Sequence, residues 1–154
     1  MSKPPTMSAD STHQLSRAFI NTTPAYALAR LYGITTDATI HRVCIHTRAS
    51  ISVIDSAYAN SYLRHLERTT TEPLDIAGSG QLSLTSYLCT SLTFLTGNPW
   101  TPAVIAPGVL FLTDNLASKI NIGNDILVNA GAVIDLAANT MTFAHRAGVK
   151  LIRT

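Results

Sequence analysis

An apolar run ends abruptly in an acid at Ile51-Ser52-Val53-Ile54-Asp55-Ser56-Ala57. The β-branched residues of this run favour a buried strand, and Asp55 follows them directly. An ionised carboxylate beside apolar side chains is costly unless it is paired, hydrogen-bonded or protonated. Asp55 is therefore the first candidate for a functional group in this sequence.

The run has an internal echo, because Ser52-Val53-Ile54-Asp55-Ser56-Ala57 is matched by Ala132-Val133-Ile134-Asp135-Leu136-Ala137. A chance match explains the echo equally well, since the chain is rich in strand-forming residues. Only the first copy places a hydroxyl, that of Ser56, after the acid. We expect Asp135 to end a strand and to accept backbone hydrogen bonds in a turn.

Composition favours one mostly β domain with few charges. The 154 residues carry a formal charge of +2, and only 13% are charged, so the basic surface expected of a nucleic-acid-binding protein is missing. The apolar stretches are too short and too broken by Pro and Gly to span a bilayer. We therefore expect neither a nucleic acid nor a membrane as partner. Cys44 and Cys89 lie in strand-like runs and are predicted to be buried free thiols in a reducing compartment.

The pattern along the chain predicts many strands and two short helices. Asn21-Thr22-Thr23-Pro24 is typical of a helix start, so a helix is expected over residues 25–31. Two strands, over residues 40–45 and 51–54, are expected to form a hairpin that delivers Asp55. A second short helix is predicted over residues 125–129. Further strands are expected at residues 82–95, 100–105, 109–112, 120–122, 132–134, 140–143 and 149–152.

Two other kinds of active site are disfavoured. His41 and His46 lack the spacing of a helical metal pair, and on a strand their odd separation places them on opposite faces, which argues against zinc. A serine hydrolase is disfavoured because no Gly-x-Ser-x-Gly motif is present.

Two motifs together resemble the retropepsin-like aspartic proteases. The active-site segment of that family has an apolar residue, Asp, Thr or Ser, Gly, Ala, two variable positions, Ser, and two apolar residues in this order. It is similar to the stretch Ile54-Asp55-Ser56-Ala57-Tyr58-Ala59-Asn60-Ser61-Tyr62-Leu63. Asn121-Ile122-Gly123-Asn124-Asp125-Ile126-Leu127 resembles the family's Ile-Leu-Gly-x-Asp-x-Leu segment. Residues 73–88 occupy the position of the flap hairpin, and residues 131–135 and 140–143 resemble the closing strands of retrotransposon members.

The resemblance implies a closed, mostly β barrel of the acid-protease type at residues 37–154, with a tail and a helical extension at residues 1–36. It implies a homodimer in which Asp55 of each chain shares one proton and activates a water, without a cofactor or a metal. The implied substrate is a polyprotein or another extended peptide, cleaved in the cytoplasm or within a virus-like particle. The implied catalytic loop consists of Asp55, Ser56 and Ala57. The implied substrate-binding flap consists of Ile76, Ala77, Gly78, Ser79 and Gly80. Structural support is expected from Ser61, Ile122, Gly123 and Asp125, and Asp125 is also expected to cap the second helix.

Ala57 and Tyr58 depart from the family pattern, which has Gly and Ala at these positions. Both changes add bulk to a loop that is expected to turn tightly, and Ala57 is expected to strain it by about 1 kcal/mol. Three hypotheses therefore stand: an aspartic endopeptidase; a catalytically silent module of the same fold that dimerises or binds peptides, with Asp55 as a structural acceptor; and a structural protein of a viral particle with an unrelated β fold.

Overall fold

The structure is a computed structural model that describes residues 24–32, 39–76, 82–96, 104–143 and 149–153. These ranges are mostly β, as the composition predicts. In chain order their elements are β1 (Ala25–Tyr32), β2 (Ile40–Ile45), β3 (Val53–Asp55), α1 (Ser56–Tyr62), β4 (Thr69–Ile76), β5 (Leu82–Phe94), β6 (Val104–Thr113), β7 (Ile120–Ile122), α2 (Asn124–Asn129), β8 (Ala132–Asp135), β9 (Thr140–Phe143), β10 (Val149–Lys150) and β11 (Ile152–Arg153).

Six of these strands close into a barrel. Their order is β1-β2-β7-β3-β6-β5, and β5 returns to β1 through an antiparallel pairing. β11 pairs with the start of β1, and β4 pairs with β5. A separate sheet has the order β10-β9-β8. The closed β-barrel that the sequence predicts is confirmed.

Alternating strand positions fill the interior of the barrel. Leu88, Leu92 and Phe94 point inward from β5 and are fully buried, as expected for a strand with a period of two. Phe94 stacks on Phe143 of β9, with ring centroids 5.1 Å apart. The small sheet therefore shares the hydrophobic core of the barrel, and burial of each aromatic side chain contributes about 2 kcal/mol.

The helix predicted over residues 25–31 is wrong, because this segment is the strand β1. Ala25, Ala27, Ala29 and Leu31 are buried, while the residues between them are half-buried or exposed. β1 pairs with β2 over six residues and lies within the large sheet. Alanine and leucine favour helices in isolation, but the two-residue alternation and the pairing on both sides override that preference.

The predicted hairpin of β2 and β3 is also wrong, since β7 lies between these strands. β7 runs parallel to β2, with Ile45 opposite Ile122, and antiparallel to β3, with Ile54 opposite Ile120. On its other side β3 runs parallel to β6. β3 is therefore a central strand, and it lies between two strands, β6 and β7, that are distant from it in sequence.

The second helix forms at the predicted place and begins one residue earlier, at Asn124. Ile126 and Leu127 of α2 are buried against the barrel. A Cβ added to Gly108 of β6 would meet the Ile126 side chain at 2.4 Å, so the glycine permits this close packing. Within the described residues, no helix has both the length and the apolar character needed to cross a membrane.

Candidate active site

Asp55 stands where a central strand becomes a helix. It is the last residue of β3 and the N-cap of α1, with backbone angles in the extended region. It lies opposite Thr113 of β6, and its backbone N–H donates to the carbonyl of Lys119 at 2.8 Å. Extended backbone and a side-chain acceptor are what a helix N-cap requires. The backbone of Asp55 is therefore fixed on both sides.

Both carboxylate oxygens of Asp55 accept backbone hydrogen bonds. Oδ1 accepts from the N–H of Leu116 at 3.0 Å, and Oδ2 accepts from the N–H of Tyr58 at 3.1 Å. Asp55 is only 4% exposed, and it is the one buried acid among the residues whose side-chain burial the structure describes. Burial acts to raise the pKa of Asp55, but the N–H groups of Leu116, Tyr58 and Ala57 and the charge of Lys119 together hold it below its ordinary value. Asp55 is thus ionised at neutral pH.

Ser56 and Ala57 form the first turn of α1. The hydroxyl of Ser56 donates to the carbonyl of Thr113 at 3.1 Å and ties the helix to β6. Ala57 is not among the described residues with a positive φ, so the local strain expected from its side chain is absent. The helix accounts for this difference, because a helical turn suits alanine better than glycine.

A buried hydrogen-bond network joins the start of β3 to the start of α2. Ser52 is fully buried and donates to Asp125 twice, from its hydroxyl at 2.7 Å and from its backbone N–H at 3.1 Å. The hydroxyl of Ser52 also accepts from the N–H of Gly123 at 2.8 Å. Asp125 is thus an acceptor for the residue that precedes β3. The N-cap of α2 is Gly123 and not Asp125 as expected, while Oδ1 of Asp125 accepts the N–H of Ile126 at 2.9 Å within the first turn.

Gly123 is needed here because of a close approach of two backbone segments. A Cβ at this position would lie 2.4 Å from the carbonyl oxygen of Ile51 and 2.8 Å from that of Ala49. The φ of Gly123 is −99°, which any residue can adopt, so space and not backbone conformation requires the glycine. Ile122, the residue before it, is fully buried in β7.

Sequence reasoning missed Ser52 as a member of this site. A lone serine inside the apolar run that precedes Asp55 was the available signal, because a buried hydroxyl needs a partner. Its partner, Asp125, lies 73 residues away along the chain. Ser61 was expected to support the loop, and its hydroxyl donates to the carbonyl of Ala57 at 3.1 Å on an exposed face of α1.

Three aromatic rings pack beside the site. His41 of β2 is 1% exposed, and its Nδ1 lies 2.6 Å from the phenol oxygen of Tyr58. The ring of His41 meets the edges of Tyr58 and Tyr62, at centroid distances of 5.6 and 5.4 Å. Burial raises the pKa of Tyr58, and the neighbouring Tyr62 adds to this effect. Tyr58 therefore links β2 to Asp55, through its phenol on one side and its backbone N–H on the other.

The predicted flap lies almost wholly outside the described residues. Ile76 is the last residue of β4, whereas Ala77, Gly78, Ser79 and Gly80 fall in the gap between the described ranges. The substrate-binding role of this group therefore stays a prediction.

The two cysteines are free, but only one is buried. Cys44 is buried in β2, whereas Cys89 of β5 is exposed, which corrects the expectation that both are buried. Cys89 lines an open groove of about 630 Å³ between β5, β6 and α2. In the described part of the chain, no cluster of three or more His, Cys, Asp or Glu residues could hold a metal ion.

Comparison with a solved structure identifies the fold. The crystal structure of the retroviral protease-like domain of Ddi1 from Leishmania major superposes with a TM-score of 0.60, covering 84% of this chain and 94% of that one. This chain has a retropepsin-like fold. The identity between the two chains is 18%, so the likeness concerns the fold alone. No protein-family model matches the sequence, and no curated protein matches it.

The retropepsin-like fold agrees with the resemblance carried by the two motifs, and it gives those motifs a common place in space. The segment with Asp55 and the segment with Gly123 and Asp125 are joined by the Ser52 network at one end of β3. The same fold contradicts the hypothesis of a particle protein with an unrelated β architecture. The catalytic and supporting roles of the individual residues stay predictions.

Proposed function

We propose that this chain is an aspartic endopeptidase of the retropepsin type, and that it works as a homodimer with one Asp55 from each chain in a shared site. One observation carries the proposal: Asp55 is a buried acid, and backbone donors fix its carboxylate at the end of a central strand. The retropepsin-like fold supports the same assignment. A single carboxylate cannot act as acid and base at once, so the reaction requires the partner's Asp55.

The proposed reaction is hydrolysis of a peptide bond without a covalent intermediate. The ionised Asp55 takes a proton from a water molecule, and the water oxygen bonds to the substrate carbonyl carbon while the protonated Asp55 of the partner subunit donates to the carbonyl oxygen. The tetrahedral adduct then collapses: the first Asp55, now protonated, gives its proton to the leaving nitrogen, the partner's Asp55 takes a proton from one hydroxyl of the adduct, and the C–N bond breaks. The two carboxyls share one proton, so their apparent pKa values belong to the pair.

The other predicted residues have supporting roles in this proposal. Ser56 and Ala57 shape the turn after the acid, and residues 76–80 close over an extended peptide or polyprotein by pairing with its backbone. Ser61, Ile122, Gly123 and Asp125 hold the loop in place. We propose that the reaction takes place in the cytoplasm or within a virus-like particle.

Removal of the Asp55 carboxylate tests the proposal. The purified full chain and its Asp55→Asn variant are incubated with a library of extended peptides across mildly acidic pH, and products are identified by mass spectrometry. We expect cleavage by the unmodified chain and a loss of at least about a thousandfold in the variant, since general acid–base catalysis contributes on this order. Asp135→Asn is the matched control, because Asp135 ends the echo strand β8 with an exposed carboxylate. Equal turnover by the unmodified chain and Asp55→Asn would rule the proposal out.

The second candidate is a catalytically silent module of the same fold that dimerises or binds peptides. It is favoured by one observation, namely that both oxygens of Asp55 are engaged by N–H groups of their own chain while the residue is 4% exposed. This candidate predicts no cleavage that depends on Asp55 under any condition. It also predicts that Asp55→Asn changes stability, because the carboxylate then has a structural role as acceptor.

A further inference from the structure

The connection from β6 to β7, residues 114–119, is hydrogen-bonded to Asp55, and we call it the strap. Its Leu116 N–H donates to Oδ1 of Asp55 at 3.0 Å, and its Lys119 carbonyl accepts the backbone N–H of Asp55 at 2.8 Å. Within the strap, the N–H of Lys119 donates to the carbonyl of Leu116 at 3.2 Å. The strap thus holds Asp55 at two points.

The backbone of the strap is in an uncommon conformation. Asn115 has a φ of 59° and Lys119 a φ of 70°, which makes them two of the three non-glycine residues with positive φ in the described ranges. Asparagine tolerates this left-handed region, whereas lysine has no local hydrogen bond from its side chain to offset the clash of its Cβ. A conformation of this kind persists only where surrounding contacts maintain it. The hydrogen bonds to Asp55 are such contacts.

Little apolar burial opposes displacement of the strap. Its side chains are exposed, except for Leu116 and Ser118, which are half-buried. Segments that bury few apolar contacts open at a lower free energy than core strands. The strands on either side are different, because Thr113 and Ile120 are buried. The strap therefore lies between two buried strand residues, while the strap itself is held mainly by hydrogen bonds.

The closed strap limits access to Asp55, which the shared site of the proposed function requires. Two carboxyls that share a proton must come within hydrogen-bonding reach of each other, but here only 4% of Asp55 is accessible, and the strap holds the residue through Oδ1 and through its backbone N–H. We propose that the strap is an autoinhibitory contact, which keeps the single chain latent until the N–H of Leu116 leaves Asp55. This inference rests on the proposed peptidase function and deepens it.

The first test removes the Leu116 donor. Leu116→Pro lacks the backbone N–H, and Leu116→Ala is the matched control that loses the same side chain but keeps the donor. We expect Leu116→Pro to raise the rate of peptide cleavage about tenfold, the effect of one hydrogen bond to a charged group on the ratio of open to closed strap. Leu116→Ala should stay within about twofold of the unmodified chain. The carboxyl pKa of Asp55, followed by NMR titration, should rise in Leu116→Pro only.

A second pair of variants acts on the backbone and keeps the donor. Asn115→Val places a β-branched residue at a positive φ and should open the strap, so the rate of peptide cleavage should rise as in Leu116→Pro. Asn115→Gly suits that φ and should lower the rate below that of the unmodified chain. Circular dichroism checks that each variant is folded, and this pair decides the matter if Leu116→Pro does not fold.

The outcomes separate the strap from the proposed function. Cleavage that depends on Asp55 and rises in Leu116→Pro and Asn115→Val supports both. If the unmodified chain and the opening variants cleave at equal rates and the pKa of Asp55 is unchanged, the autoinhibitory role of the strap is wrong, but the proposed peptidase function is not contradicted. Absence of Asp55-dependent cleavage in every variant overturns the peptidase and the latency together, and a rise in the pKa of Asp55 would then show only a structural contact.

Discussion

The Nδ1 atom of His41 lies 2.6 Å from the phenol oxygen of Tyr58, and the backbone N–H of Tyr58 donates to Asp55. A residue of β2 is thereby connected to the candidate catalytic acid through one side chain of α1. Tyr58 is one of the two departures from the family motif, and the structure gives it a defined partner. The bulky residue is thus accommodated by the barrel and packs against His41 and Tyr62.

Removal of the Tyr58 hydroxyl should destabilise the protein moderately. Tyr58→Phe keeps the ring contacts but leaves His41, which is 1% exposed, without this hydrogen bond. We expect a loss of about 1 kcal/mol in the free energy of unfolding, measured by urea denaturation. Tyr62→Phe is the control, because Tyr62 contacts His41 through its ring and is 43% exposed. A larger loss in Tyr62→Phe than in Tyr58→Phe would contradict this assignment.

The Ser52 network should behave as one coupled unit. Ser52→Ala removes a donor to Asp125 and leaves the N–H of Gly123 without its acceptor in a buried place. We expect a loss of about 2 kcal/mol. Asp125→Asn should also destabilise, and the double variant should lose less than the sum of the two single losses because the residues share a hydrogen bond. Additive losses in this double-mutant cycle, measured by chemical denaturation, would show that the two residues act independently.

A side chain at Gly123 should be tolerated much less well than one at Gly108. In Gly123→Ala the new Cβ would meet the backbone carbonyl of Ile51 at 2.4 Å, and backbone cannot move aside cheaply. In Gly108→Ala it would meet the end of the Ile126 side chain, which can rotate. We expect a loss of about 3 kcal/mol for Gly123→Ala and about half of that for Gly108→Ala, measured by thermal and urea unfolding. The reverse order would contradict the tight approach of Gly123 to residues 49–51.

Asp55 should make stability depend on pH in the acid range. Its folded pKa lies below its unfolded value of about 3.9, so the ionised form stabilises the fold. This contribution is fully present above the unfolded pKa and is lost as the pH falls through the lower folded pKa. We therefore expect the stability advantage of the unmodified chain over Asp55→Asn to shrink progressively below about pH 4 in urea denaturation. An advantage that does not change with pH would show that Asp55 is not held ionised.

The sequence predicted local features of the fold better than its long-range pairings. The end of β3 at Asp55, the strand β7 and the helix α2 were foreseen, because apolar runs and a Gly-Asn-Asp turn mark them locally. The strand β1 was missed because its buried alanines favour a helix in isolation. The insertion of β7 between β2 and β3 was missed because a parallel pairing leaves no signal in either strand alone.

At the candidate site too, residues marked by a local sequence pattern were predicted, and contacts between distant segments were missed. Asp55 was identified from its place after an apolar run, and Gly123 and Asp125 from a motif, whereas their common partner Ser52 was not. The strap was also missed, because its hydrogen bond from Leu116 to Asp55 spans 61 residues and uses a backbone donor that no side chain announces. Contacts made by the backbone depend on the whole topology, so a sequence motif does not encode them locally.

The two thiols should differ in reactivity towards an alkylating reagent. Burial raises the pKa of Cys44, which reduces its thiolate fraction, and burial also blocks access of the reagent to the sulfur. Cys89, in contrast, is exposed beside an open groove. In the folded protein we expect iodoacetamide to modify Cys89 and to leave Cys44 unmodified, as read by mass spectrometry of proteolytic peptides. Cys44 should become reactive only in denaturant. Cys89→Ser should abolish labelling of the folded chain, and Cys44→Ser should leave it unchanged. Fast labelling of Cys44 under native conditions would mean that the pairing of β2 with β1 and β7 opens readily, because those neighbours enclose it in the barrel wall.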